Sequence, residues 1–153
     1  MRREGAEAPK LVLIGARGWE NENVVDLLER CRTISDHVMQ VSGLSTPGLK
    51  ALLDGACALL MPSFAEGYGL PVIEALAAGT PVIASAIPAF RESAGEHIVS
   101  ISPIDGEKWL ETVQAFAAPH SSARSDAMTR QSLYKAMNWN DYFVKIETFM
   151  SSL

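Results

Sequence analysis

At 153 residues, 48% of them apolar, the chain has room for one domain and enough apolar material for a packed core, which excludes a disordered tail. With 13 basic against 18 acidic residues it carries a net charge of -5, leaving no cationic surplus to neutralise a run of phosphates, so nucleic acid is excluded as the principal partner. No stretch approaches the roughly 20 apolar residues of a membrane helix, residues 1–10 lack the apolar centre of a secretory signal, and the expected compartment is the cytoplasm.

The run Leu11 to Ile14, closed by Gly15, predicts a buried strand turning over a glycine. Val24, Val25, Leu28 and Cys31 recur at helical spacing, and His37 to Ser42 predicts a second strand. Thr46 as N-cap and Pro47 in the first turn open a helix carrying Leu49, Leu52 and Leu53, stopped by Gly55. Cys57 to Met61 is a continuous apolar run of strand length. Pro71 to Ala78 predicts a compact helix with Gly79 as its C-cap, and Pro81 to Ser85 a fourth strand. A short helix over Ala89 to Ala94 and a fifth strand over Ile98 to Ile101 follow.

Beyond that the pattern is helical. Trp109, Leu110, Val113, Phe116 and Ala117 share one face, Pro119 to Ser125 reads as a loop, and Met128, Leu133, Tyr134 and Met137 mark a further helix. After a break at Asn138 to Asn140, Tyr142, Phe143, Ile146 and Met150 mark the last one. Continuous apolar strands, each followed by a helix, predict an α/β fold: a Rossmann-like parallel sheet of about five strands with helices on both faces, followed by carboxyl-terminal helices. Cys31 and Cys57 supply neither a disulfide framework nor a zinc cluster and read as reduced packing residues, Cys57 as a buried one.

Residues 57–85, CALLMPSFAEGYGLPVIEALAAGTPVIAS, carry the chemistry. In a doubly wound sheet ligands bind at the carboxyl ends of strands, and the strand ending at Met61 delivers the chain into a glycine turn and a helix N-terminus. Gly67 and Gly69 let the main chain approach a ligand closely, and the amides near Leu70 to Ile73 lack intrahelical partners, so the geometry suits an anion. A tight turn with solvated amides accounts equally well for two glycines alone. Glu66 before the turn and Glu74 in the first turn of the helix can accept hydrogen bonds from vicinal hydroxyls such as those of a ribose or a sugar. An acidic residue in a first helical turn is also favourable with no ligand.

The run F-A-E-G-Y-G-L-P-V-I-E-A-L-A-A-G-T-P-V-I-A-S closely resembles the donor-binding signature of retaining glycosyltransferases of family 4, which have the two-domain GT-B fold. There two glutamates separated by seven residues flank a loop of the form E-G-x-G-L-P, as Glu66 and Glu74 do here. The likeness extends to L-V-L-I-G at 11–15, the helix from Gly48 to Gly55, F-R-E-S-A-G at 90–95 and N-W-N-D-Y at 138–142. It implies half of a GT-B fold, the carboxyl-terminal one: a single nucleotide-sugar-binding domain over 1–153, with a tail at 1–10, an α/β core at 11–118 and carboxyl-terminal helices at 119–153. By similarity Glu74 would bind the ribose hydroxyls of a nucleotide diphosphate sugar. Glu66, the residue assigned to catalysis, would contact the transferred sugar, and the amides of Gly67, Tyr68, Gly69 and Leu70 would hold the diphosphate or adjacent sugar oxygens.

The implied reaction moves a hexose from a UDP- or GDP-sugar to an acceptor hydroxyl with retention of configuration, with no cofactor and no protein-bound metal. Two departures matter. The family's first strand and the arginine and lysine that grip its diphosphate are not found; no lysine or arginine lies between Lys50 and Arg91, and Arg17 is the one substitute to be named, a solvated turn residue on the simpler account. The amino-terminal domain that would supply the acceptor site is also missing, so the chain alone is expected to be inactive. Without the first strand, its two neighbours are expected to pair directly rather than borrow a strand from a second chain, and open edges favour self-association. The full-length protein would be cytoplasmic or peripheral to the inner face of the membrane. A non-catalytic nucleotide-binding or interaction module is the alternative; a sugar-nucleotide epimerase is disfavoured by the Glu66 and Glu74 pairing. His37, His97 and His120 sit at unrelated spacings and earn no catalytic or metal role. Trp109, Phe116 and Trp139 read as packing residues, and Arg91 and Glu92 as partners in a salt bridge at the ligand edge.

Overall fold

A computed structural model describes residues 8–16, 18 and 22–153. Arg17 and the first seven residues of the expected tail lie outside the described residues. The chain forms two compact units, residues 1–51 and 52–153.

In the first unit, β1 (Leu11–Ile14) and β2 (Val38–Val41) pair in parallel, Leu11 opposite Val38 and Ile14 opposite Val41. Between them run α1 (Glu22–Arg30) and a short α2 (Arg32–Ser35) that sequence periodicity does not announce; Cys31 is its N-cap residue rather than the last residue of α1. Leu11, Val12 and Ile14 are exposed, so the double covering expected of a continuous apolar strand is not met by β1. The helix α3 (Thr46–Gly55) is capped by Ser45 and not by Thr46: Ser45 Oγ accepts the Gly48 N–H at 3.3 Å.

The second unit holds β3 (Leu59–Met61), β4 (Val82–Ser85) and β5 (Val99–Ile101) in a parallel sheet of that order. Its crossovers are α4 (Leu70–Ala78) and α5 (Pro88–Ala94), the latter followed by a single 3-10 turn, Gly95–His97. Every residue of β4 is buried, as a central strand covered on both faces requires. Ile83 of β4 and Ile101 of β5 pack with Phe116 and Ala127, residues of α6 (Gly106–Ala117) and α7 (Ser122–Gln131). Trp109 packs against this cluster and donates its indole N–H to the Ser102 carbonyl at 3.1 Å, so Trp109 and Phe116 are core residues as expected.

Asp105 caps α6 and Ser121 caps α7, each accepting a backbone N–H three residues on, at 3.0 and 2.9 Å. The Ser121 cap starts α7 inside the segment expected to be a loop, and the helix ends at Gln131, which leaves Leu133, Tyr134 and Met137 beyond it. Asn138 then caps α8 (Trp139–Met150), where the sequence breaks.

The α/β class holds, with its five parallel strands divided between two sheets, β1–β2 and β3–β4–β5. Trp139 is not a packing residue: it is 75% exposed, and the aromatic rings it meets among the described residues are those of Tyr142 and Phe143 on its own helix. Cys57 is exposed ahead of β3, 3.4 Å from Arg124 Nη1, and not buried within a strand. No helix among the described residues is long and apolar enough to cross a membrane.

Candidate functional site

The segment between β3 and α4 lies at the carboxyl end of β3, where the sequence places it. Glu66 is exposed, and its Oε1 accepts a hydrogen bond from Ser63 Oγ at 2.8 Å. Ser63, three residues before Glu66, is a site residue that sequence reasoning misses although its spacing suits a local bond of this kind; it fixes one carboxylate oxygen, and the other has no hydrogen-bond partner among the described residues.

Gly69 is the N-cap residue of α4 and has φ 82°, a left-handed conformation that glycine adopts without steric cost. A Cβ on Gly69 would stand 2.5 Å from Cε1 of Phe90, a residue of α5 that is completely buried. Phe90 therefore forms the floor of the turn, a role that no local sequence pattern reveals. Gly67 has open space around it.

The backbone bonding revises the set of available amides. Pro71 has no N–H, while the Val72 and Ile73 N–H groups donate to the Gly69 carbonyl at 2.9 and 3.4 Å. The unpaired amides are those of Gly67, Tyr68, Gly69 and Leu70, which make no hydrogen bond among the described residues. They belong to the turn itself rather than to the interior of the first helical turn.

Glu74 is the fifth residue of α4 and so lies in its second turn, not the first. That position weakens the purely helical explanation for its charge, because the dipole effect fades beyond the first turn. Val72, Ala75 and Leu76 are buried, whereas Leu70 and Glu74, four residues apart on one face, are exposed. Glu74 has no hydrogen-bond or ion-pair partner among the described residues. Arg91 and Glu92 are likewise exposed and form no ion pair there, contrary to the salt bridge expected of them.

These residues form an open surface. They line neither of two hollows in the second unit, one of about 260 Å³ beside Cys57, Thr80 and Arg124, and one of about 410 Å³ beside Lys108, Phe116 and Arg130. The first of these lies at the amino ends of β3 and β4, opposite the turn.

Residues 2–118 match the family model described as glycosyl transferases group 1. The chain belongs to that family. This group 1 glycosyltransferase chain is 38% identical over 91 residues to the O-antigen chain mannosyltransferase RfbU of Salmonella typhimurium, covering 60% of this chain and 24% of RfbU. It is 32% identical over 126 residues to the serotype-specific mannosyltransferase WbdA of Escherichia coli, covering 78% of this chain and 15% of WbdA. Among solved structures it superposes on sucrose-phosphate synthase from Thermosynechococcus elongatus with a TM-score of 0.68 at 23% identity, over 94% of this chain and 38% of that one. At that identity the likeness establishes the fold alone, that of part of a GT-B glycosyltransferase. The group 1 chain spans a quarter or less of the length of RfbU and WbdA.

Proposed function

We propose that this chain is the donor-binding part of a retaining glycosyltransferase of family 4, which moves a hexose from a UDP- or GDP-linked donor to an acceptor hydroxyl. The observation that carries this reading is the run of unpaired N–H groups from Gly67 to Leu70 at the carboxyl end of β3, with Glu66 before it and Glu74 one turn beyond. Diphosphate oxygens would satisfy those amides, aided by the positive end of α4. Glu74 would accept hydrogen bonds from the ribose hydroxyls, and Glu66, oriented by Ser63, would contact the sugar being transferred.

As the bond between the sugar and the diphosphate lengthens, negative charge builds on the leaving group. Amide dipoles already aimed at it by a rigid turn stabilise that charge without reorganising. The reading assigns no metal or cofactor to the reaction, and it takes retention of configuration from the family signature. The names of RfbU and WbdA make mannose the first hexose to test.

An open wall in place of a closed pocket supports a cleft completed by an amino-terminal domain that holds the acceptor. The chain alone would then bind donor weakly and transfer nothing. We place the full-length protein in the cytoplasm or against the inner face of the membrane. One observation favours the alternative of a non-catalytic nucleotide-binding module: no lysine or arginine lies between Lys50 and Arg91 to neutralise a leaving diphosphate.

Titration of GDP and UDP into the isotope-labelled chain tests the reading. The amide resonances of Gly67, Tyr68, Gly69 and Leu70 should move together with added nucleotide; resonances that stay fixed at millimolar nucleotide would contradict it. Transfer by the full-length protein that disappears in Glu66→Gln separates the enzyme from the module.

A further inference from the structure

Two peptide planes carry the last two free amides of the turn, and different parts of the chain hold them. The Gly69 carbonyl accepts the Val72 and Ile73 N–H groups at 2.9 and 3.4 Å, which ties the plane between Gly69 and Leu70 to the start of α4. In a planar trans peptide the Leu70 N–H then points the opposite way, out of the helix end. The preceding plane, which carries the Gly69 N–H, is set against it by the Gly69 dihedral angles, φ 82° and ψ 46°. Glycine adopts either sign of φ with similar ease, so its own chemistry does not hold those angles. Phe90 stands where it can: a Cβ on Gly69 would lie 2.5, 2.8 and 3.8 Å from its Cε1, Cδ1 and Cζ, so one edge of the ring closes that side of the glycine. The ring is completely buried and its backbone is anchored. The Ala86 and Ile87 N–H groups donate to the Ile101 and Ser85 carbonyls at 2.7 and 2.8 Å, fastening the chain from β4 into α5 to the end of the sheet, and the Gly95 N–H donates to the Phe90 carbonyl.

We propose that Phe90 is a positioning residue for the donor site: its ring edge, held by the chain from β4 into α5, keeps Gly69 left-handed and so fixes the Gly69 and Leu70 N–H groups in one relative orientation toward the diphosphate. Phe90 lies outside the run from Glu66 to Glu74 and, being completely buried, acts without touching the donor. The proposal rests on the donor-binding reading above. It makes α5, a second segment of the chain, a determinant of how well the amides are preorganised.

The test compares Phe90→Leu and Phe90→Met with Phe116→Leu in the 153-residue chain, Phe116 being a core phenylalanine in the cluster with Ile83, Ile101 and Ala127. Loss of a ring moves nearby resonances by itself, so conformation is read from the N–H to Hα couplings of Gly69 and from the exchange rates of the amides of residues 67–70. Without ligand, both Phe90 variants should give averaged Gly69 couplings and faster exchange, while Phe116→Leu keeps the wild-type values. With GDP or UDP as the probe, the Phe90 variants should raise the Kd about tenfold, and Phe116→Leu should change it less than about twofold although it too lowers the melting temperature. Wild-type Gly69 couplings in both Phe90 variants overturn the proposal, as does a lowered melting temperature with no change in the Kd of the folded molecules. In the wild type itself, Gly69 couplings averaged over both signs of φ overturn it as well, a reading that no poorly folding variant can obscure. If the wild-type chain binds neither nucleotide, the donor-binding reading falls, and the unliganded couplings still decide whether Phe90 positions the turn.

Discussion

Gly69 and Phe90 occupy each other's space: the hydrogen that glycine carries in place of a Cβ faces the buried phenyl ring, where a Cβ would lie 2.5 Å from Cε1. With φ at 82°, the same residue needs left-handed backbone freedom, so glycine is required twice over. Gly69→Ala should cost about 2 to 4 kcal/mol of stability, by urea unfolding, from overpacking and a left-handed alanine together. Gly67→Ala, in open space, should stay within about 0.5 kcal/mol of wild type.

Cys31 offers a chemical test of the first unit. The Thr33 hydroxyl, 3.2 Å from Sγ, holds the Cys31 thiol below its ordinary range, helped by the backbone of Thr33. More thiolate at neutral pH means faster alkylation. Iodoacetamide should modify Cys31 faster than a free thiol of ordinary pKa, and Thr33→Val should slow the reaction. An unchanged rate in Thr33→Val would contradict the assignment of the hydrogen bond.

Tyr134 should leave a mark on alkaline stability. Burial, and after it Tyr68, raise the Tyr134 hydroxyl above the ordinary tyrosine value, so the folded state prefers the neutral phenol. Its contribution is complete below the unfolded pKa of about 10 and is lost as pH rises through the higher folded value. Between about pH 8 and about pH 11 the wild type should therefore lose more stability than Tyr134→Phe, which cannot ionise. Urea midpoints at the two pH values measure the difference, and equal losses would sink it.

Ser85 is fully buried at the end of β4, and its hydroxyl has no partner among the described residues. Removing an unpaired buried hydroxyl relieves a desolvation cost. Ser85→Ala should thus be neutral or stabilising by up to about 1 kcal/mol, whereas a loss of more than about 1 kcal/mol would mean that the hydroxyl is satisfied in solution.

Where a residue type answers a local backbone demand, the fold was legible in advance. Gly69 and Gly79 stand at the two ends of α4 with φ of 82° and 86°, and the helix between them falls where those glycines imply. Apolar runs located all five strands to within two residues. Features set by distant parts of the chain were not legible. Apolar periodicity carries α7 on to Met137, but Ser121 caps it early and it ends at Gln131, whose side chain bonds to α4, before Tyr134 meets His97. The division of the strands between two sheets depends on pairing, to which a continuous apolar run is blind. In the candidate site, Glu66, Glu74 and the glycines could be named from sequence, whereas Phe90 beneath Gly69 could not, since its approach comes from another helix.

The central claim is that Glu74 and the turn amides hold a nucleotide. Isothermal titration of GDP, UDP and GDP-mannose into the wild-type chain and into Glu74→Ala tests it most directly. Loss of a charged hydrogen bond worth about 1.5 to 3 kcal/mol should weaken binding of the preferred nucleotide roughly 10- to 150-fold. Equal affinity in the two chains, or no binding by the wild type, would contradict the account.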